Sequence, residues 1–294
     1  MDERAYVFTK DCLSTEHEIP FHVAARASIG VGGYAKAAFY PENLSKLILL
    51  IDEFKKHHQP FHVVGNMTNI LPPDGRSEAV YLFTTKLKSV GMGRTVFAQA
   101  GVTSEELLDA CVRHGKSGAE FLAGVPCTVG GAVYMNAGAG GKHIDDILES
   151  ALVYHDGQIR VLKKEDCAYA YKESAFMRNG AIILGASFLL EDTDGESVEA
   201  RRQAYLETRK RLPTGKSMGC VFKNPKDISA GKLIEGVGLK GFKFGGAYVS
   251  TEHANFVING GNATAKDVRA VINVVKNAVL SQYGVILEEE IRYF

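Results

Sequence analysis

The stretch "GVPCTVGGAVYMNAGAGGKH", Gly124 to His143, decides how the rest of the chain is read. Six glycines fall between Gly124 and Gly141, interrupted by Thr128, Asn136 and small apolar residues. Glycine loses more chain entropy on ordering than any other residue, so a tight coil this rich in it needs something packed against its bare backbone. One reading is a purely structural coil; the other is a loop that cradles a phosphate-bearing ligand. The GK[ST] ending of a P-loop is absent, and the tract is not a G-x-G-x-x-G following a strand, so neither a P-loop kinase nor a Rossmann enzyme fits. A second candidate lies upstream. "VVGNMTNIL", Val63 to Leu71, leaves an apolar strand and turns through Gly65, Asn66, Met67, Thr68 and Asn69. Successive N–H groups in such a turn can form an anion-binding nest, and the alternative is an ordinary corner.

Outside these loops the totals set bounds. A length of 294 residues suits two or three domains, or one large one, with room for a proper core. The 34 basic residues balance the 34 acidic ones, which gives no reason to expect nucleic acid or an anionic membrane as main partner. The 31 glycines exceed the usual ~7 % and cluster. "MDERAYVFTKDCLSTEHE" has no apolar core that could serve as a signal peptide, and no apolar run approaches the ~18 residues that span a bilayer. Cys12, Cys111, Cys127, Cys167 and Cys220 are scattered, without a CxxC pair, and read as reduced thiols. The histidines offer no metal spacing. The expectation is a soluble, cytoplasmic protein with no metal, no membrane insertion and no implied protein partner.

Three blocks emerge, at 1–89, 90–195 and 196–294. In the first, "AKAAFYP" reads as a strand and "NLSKLILLIDEFKKHHQ" as an amphipathic helix entered through Asn43, with Leu44, Leu47, Ile48 and Ile51 on one face. "FHVVG" follows as a buried strand. The second block holds "TVFAQAG" as a strand and "SEELLDACVRHG" as a helix closed by Gly115. After the glycine tract, "SALVYHDGQIRVLKK" reads as a hairpin around Asp156-Gly157, and "AIILGASFLLE" as another strand. The third block opens with the charged helix "ESVEARRQAYLETRKR". It later carries "TAKDVRAVINVVKNAVLSQYG", where Thr264 caps a helix and Val268, Val271, Ile272, Val275 and Val279 share one face. "VILEEEIRYF" reads as a closing strand.

Four segments in order now carry a resemblance. "EFLAGVPCTVGGAVYMNAGAGG", "SMGCVFKNP", "AGKLIEGVGLKGFKFGGAYVSTEHANFVIN" and "LEEEIR" resemble motifs of the UDP-N-acetylenolpyruvoylglucosamine reductase family, bacterial cell-wall flavoenzymes. The match runs from about Val31 to Arg292, at a length that suits the shorter type without an extra loop module. The resemblance implies an α+β fold: an FAD-binding domain of the vanillyl-alcohol oxidase type, built of two α+β subdomains, then a C-terminal α+β substrate-binding domain. It implies hydride transfer from NADPH to FAD and on to the enolpyruvyl ether of a UDP-sugar, giving UDP-N-acetylmuramate for peptidoglycan. The family's FAD contacts fall on Gly65, Asn66, Thr68 and Asn69, and on Gly124, Thr128, Gly130, Gly131, Asn136, Ala137 and Gly138. In that reading the glycines let backbone N–H groups reach the pyrophosphate.

Hydride addition leaves negative charge beside the substrate carboxylate, which needs stabilising groups and an acid. The family places a serine where this chain has Cys220. A thiol with an ordinary pKa of about 8.5 is mostly protonated near neutral pH, so it can donate a proton, and its liability is oxidation. A buried structural cysteine is the alternative. Glu290 matches the family's second catalytic residue. Strand alternation puts Glu288 and Glu290 on one face and Glu289 on the other, where it reads as a solvated charge. Tyr171 and Ser174 are kept, but Lys172 stands where the family has an active-site arginine, keeping charge and losing the bidentate fork. Lys223, Asn224 and Arg211 match positions that contact substrate phosphates or sugar. The chain departs from the pattern at Gly30 (an arginine in the family), at Met67 and Cys127 (glycines) and at Gly140 (a tyrosine). These departures keep open a non-catalytic FAD- or UDP-sugar-binding paralogue, or another flavin oxidoreductase on the same scaffold.

Overall fold

Asn43 starts the first long helix by accepting the Lys46 N–H on its Oδ1 at 2.9 Å, and the helix runs Leu44–Lys56. Its buried stripe is Leu47, Leu50, Ile51 and Phe54. This stripe is turned from the expected one: Leu44 and Ile48 are only half-buried, because Leu50 and Phe54 carry the contact with the sheet below. The structure is a computed structural model describing residues 7–294, so the first six residues of the N-terminal segment lie outside the described residues.

The chain divides into two compact units. Unit 1 comprises the chain up to Ile19, Ala37–Asn66 and Glu78–Lys210; unit 2 comprises Pro20–Lys36, Met67–Ser77 and Arg211–Phe294. In unit 1, Phe61–Val64 runs parallel to the neighbouring strand, with Phe61 opposite Val80 and Val64 opposite Phe83. Phe39, Leu47, Phe54, Val80 and Leu82 fill the core between helix and strands. An antiparallel sheet follows in the order Gln158–Lys163, Leu148–His155, Ile182–Phe188, Val96–Gln99, Val90–Met92. The hairpin expected at Asp156-Gly157 is there: His155 pairs with Gln158, and both turn residues are left-handed (φ 49° and 75°), as a tight two-residue loop requires.

On that sheet packs the helix Ser104–His114, closed by Gly115 at φ 61° and started by a capping box between Thr103 and Glu106. The expected coil of the glycine tract is a correction. Val129–Met135 is helical: Thr128 caps it by accepting the Gly131 N–H at 3.3 Å, and Val129, Ala132 and Val133 are buried. Two glycines at the start of a helix weaken its propensity signal by about 1 kcal/mol each, and packing overrides it.

Unit 2 is built on the antiparallel strands Lys243–Phe244, Ala247–Val249 and Val257–Asn259, with the helices Ala230–Gly236 and Ala265–Tyr283. The long helix buries Val268, Val271, Ile272, Val275 and Val279, the face its spacing predicts. The expected closing strand is shorter than its sequence suggests. Only Arg292–Tyr293 forms a ladder, parallel to Ile70–Leu71. Antiparallel sheets with helices packed on them make the chain α+β. Among the described residues no helix is long and apolar enough to cross a membrane.

Candidate active site

Unit 1 brings the two glycine loops together. Asn66 donates from Nδ2 to the Pro126 carbonyl at 3.3 Å. Gly65 faces Thr128, and a Cβ at position 65 would strike its Oγ1. The loops share a surface because one of them lacks a side chain there.

The expected cofactor glycines divide by cause. A Cβ at Gly130 would lie 3.0 Å from Ala100 Cβ, and one at Gly138 would strike His143. Gly124, at φ 69°, accepts from Arg209 Nε at 3.0 Å under that side chain. Their lack of a side chain is accounted for by packing inside the unit. At Gly131 the nearest atom is Thr128 Oγ1 at 3.5 Å, an ordinary contact. The first N–H groups of Val129–Met135 are also taken. Val129 donates to Val102 O at 2.8 Å and Gly130 to Ala100 O at 2.9 Å. In the upstream turn, by contrast, the N–H groups of Asn66, Met67 and Thr68 meet no acceptor among the described residues. Met67 is left-handed there, at φ 51°. Consecutive bare N–H groups around a left-handed residue are the geometry of an anion nest, so this turn fits a diphosphate better than the downstream helix does.

Asn136 ends that helix in the left-handed region (φ 45°). Its buried amide donates to Ala170 O at 3.1 Å and accepts from the Asp145 N–H at 3.1 Å. Ala137 donates to Ala132 O. Asn136 thereby ties the tract to the segment carrying Tyr171 and Lys172. Tyr171 is 43 % exposed, with its ring edge-on to His143 at 6.0 Å. Lys172 is left-handed at φ 59°. Ser174 is fully buried and donates to Tyr134 O at 2.6 Å.

Unit 2 holds the thiol and the carboxylate. Half-buried Cys220 bridges Phe256, and the next residues are gripped by Asn255. Its carbonyl accepts from Val221 N–H at 2.8 Å, while its side chain accepts from Phe222 N–H at 2.9 Å and donates to Phe222 O at 2.8 Å. On the other side Glu290 donates its N–H to Val221 O at 2.7 Å, and Lys223 donates its N–H to Glu288 O. The thiol segment and the Glu290 segment are therefore neighbours, joined by an isolated bridge between Phe222 and Glu289. Asn69 donates to Glu290 O at 3.1 Å and accepts the Arg292 N–H, which anchors the carboxylate-bearing segment. Lys223 Nζ pairs with Glu288 at 3.2 Å, Asn224 Oδ1 accepts the Ala230 N–H, and Arg211 is exposed.

Glu289 corrects the expectation of a solvated charge. Its side chain is 19 % exposed, pairs with Lys276 at 2.7 Å and accepts from the Tyr293 hydroxyl. The irregular backbone before Arg292 turns it inward, whereas Glu288 is 70 % exposed. Other thiols are held protonated. Burial pushes Cys111 up to about 12, with nearby Glu120 adding to it, and burial pushes Cys167 up to about 11.

Comparison with known proteins decides the family. Residues 210–294 match the C-terminal domain of UDP-N-acetylenolpyruvoylglucosamine reductase, and residues 35–163 match an FAD binding domain. The chain is 40 % identical over 290 residues to the UDP-N-acetylenolpyruvoylglucosamine reductase of Clostridium beijerinckii, covering 97 % of this chain and 95 % of that one. The Streptococcus pneumoniae enzyme of the same name is 38 % identical over 89 % of this chain and 88 % of its own. The crystal structure of the Thermus caldophilus reductase superposes with a TM-score of 0.81 at 33 % identity, covering 95 % of this chain and 98 % of that one. The chain belongs to the UDP-N-acetylenolpyruvoylglucosamine reductase family. Its fold is the α+β one expected, an FAD-binding domain followed by the reductase C-terminal domain. The FAD-binding match contains both glycine loops, and the reductase C-terminal match contains Cys220 and Glu290.

Sequence reasoning gave Asn255 no role in this reductase fold. Its signal was an amide inside the apolar run "ANFVIN", a place where a polar side chain has to find partners. Asn259 in the same run does similar work, donating to Ile29 O at 2.9 Å and accepting from Gly261 and Ala263.

Proposed function

We propose that this chain reduces the enolpyruvyl ether of UDP-N-acetylglucosamine enolpyruvate to UDP-N-acetylmuramate, using FAD and NADPH, in the cytoplasm. Peptidoglycan precursor synthesis is the process this serves. The observation that carries the reading is the backbone bond in which Glu290 N–H donates to Val221 O at 2.7 Å, in a chain alike to curated reductases over nearly all its length. It makes the thiol-bearing and carboxylate-bearing segments backbone neighbours, which supports this pairing of roles.

FAD, when bound, supplies the hydride taken from NADPH. The bare N–H groups of the turn at Met67 and Thr68 would hold its diphosphate. Gly65, Asn69, Gly124, Thr128, Gly130, Asn136, Ala137 and Gly138 shape these loops through the packing and hydrogen bonds described. After hydride arrives at the terminal carbon of the enol ether, Cys220 Sγ gives its proton to the adjacent carbon, and Glu290 polarises the enolate or relays the proton. Lys172 and Tyr171 bind the substrate, with Lys172 offering a point charge in place of a fork. Lys223, Asn224 and Arg211 contact its phosphates or sugar. The flavin subdomains run 1–89 and 90–195 in this reading, and the substrate domain 196–294. No nucleic acid or protein partner enters.

Anaerobic incubation of the purified protein with FAD, NADPH and the enolpyruvyl UDP-sugar tests this. The expected result is stoichiometric NADPH oxidation that needs the UDP-sugar. Bound flavin without such turnover would make the protein a binding module, and turnover with oxygen alone would make it an oxidase.

A further inference from the structure

Beside the upstream turn stands a lysine to which no role has yet been given. Lys216 carries its side chain across Gly30: a Cβ at position 30 would come within 2.6 Å of Lys216 Cδ and 3.3 Å of Cε and Nζ. Gly30 is left-handed at φ 63°, and the family pattern has an arginine there. The lysine's backbone is held on both sides. Asn259 donates its N–H to Lys216 O at 2.9 Å, and Ser28 Oγ donates to Ser217 O at 2.6 Å. Ser28 also donates its N–H to Met67 O at 3.3 Å. Through Ser28, the Lys216–Ser217 backbone, Gly30 and Met67 are thus tied into one cluster within unit 2. Lys216 has no anionic partner among the described residues, whereas Lys223 is paired with Glu288.

We infer that Lys216 supplies the cation that faces the flavin's diphosphate at the Met67–Thr68 turn, replacing from a neighbouring segment the side chain that Gly30 lacks. A lysine ammonium on a flexible stem reaches a phosphate oxygen as a point charge, and bare N–H groups beside it bind the same anion. The missing Cβ at Gly30 is what lets the stem cross. The same exchange recurs in unit 1. A Cβ at Gly140, where the family pattern has a tyrosine, would come within 2.9 Å of Tyr205 Cε1, so an aromatic ring again arrives from another segment.

This assignment rests on the FAD reading above, and the test separates the two. FAD and riboflavin are titrated into flavin-free protein by fluorescence quenching, for wild type, Lys216→Ala and Lys216→Arg, at low and high salt. Lys216→Ala should weaken FAD about 10-fold or more and leave riboflavin, which has no diphosphate, unchanged. Lys216→Arg should recover most of the loss, and the salt dependence of FAD binding should flatten in the alanine variant. Equal FAD affinity in Lys216→Ala, or an equal loss for riboflavin, overturns the role of Lys216 alone. Wild-type protein that takes up neither flavin overturns the FAD reading with it.

Discussion

Cys220 follows Gly219, which is left-handed at φ 75° with nothing within 4 Å of its missing Cβ, and precedes a backbone clamped by Asn255. The Cys220 side chain is half-buried, unlike the buried thiols of Cys111 and Cys167. Replacing Cys220 by alanine should cut product formation by about 10²–10⁴-fold, the usual contribution of a positioned acid, and leave flavin reduction by NADPH intact. Cys220→Ser should keep turnover and gain resistance to peroxide, because a hydroxyl cannot enter the sulfenic-to-sulfonic series. Stopped-flow measurement of both half-reactions decides it; loss of flavin reduction in the alanine variant would contradict the role. Cys220 was legible because its neighbours match a long motif, whereas Asn255 grips Val221 and Phe222 through three hydrogen bonds across more than thirty residues of sequence. Met67 shows a different limit. Its left-handed backbone costs about 1–2 kcal/mol for a side chain other than glycine. Its side chain is 2 % exposed, and burying it returns about 1.5–3 kcal/mol, so a methionine can stand where the family has glycine.

Elements with both a cap and a strong apolar period were readable residue by residue. Ala265–Tyr283 buries the face its valines predict, and Thr264 caps it by accepting the Asp267 N–H at 3.1 Å. Asp267 closes the box by accepting N–H bonds from Thr264 at 3.0 Å and Gly246 at 3.3 Å, and these hold its carboxyl below the usual 3.8. Thr264→Ala should therefore cost about 1 kcal/mol at any pH at which the fold persists. The Asp267 contribution, by contrast, depends on pH. A carboxyl whose folded pKa is depressed stabilises above its unfolded value and loses that effect as pH falls through the folded one. Denaturant melts of Asp267→Asn should show a deficit at neutral pH that shrinks below about pH 4. A deficit unchanged in acid would remove the carboxylate from the cap. Val129–Met135 was illegible for the converse reason. Its glycines argue against a helix, and its Thr128 cap and buried Ala132 and Val133 only become evident once Ala100 and Val102 stand beside it. The closing segment failed similarly: period-two alternation over "LEEEIR" assumes a regular strand, and the backbone is regular only at Arg292–Tyr293.

At the scale of the whole molecule, charge does little to hold the fold. Lys210–Glu207 and Lys240–Glu235 are exposed pairs of the kind worth about 0–1 kcal/mol. Stability rests on the buried cores, and ligand binding adds to it by mass action. FAD at about 100 times its dissociation constant should add about 2.7 kcal/mol to whatever folds with the glycine loops. For a folding unit of 150–250 residues each kcal/mol moves the melting temperature by about 2–4 °C, so calorimetry should find a rise of roughly 5–10 °C. Riboflavin at the same concentration should give less, since it offers the bare N–H groups of the 66–68 turn no diphosphate. Equal shifts from the two flavins would mean that the isoalloxazine alone carries the affinity, and the turn would lose its place in cofactor binding.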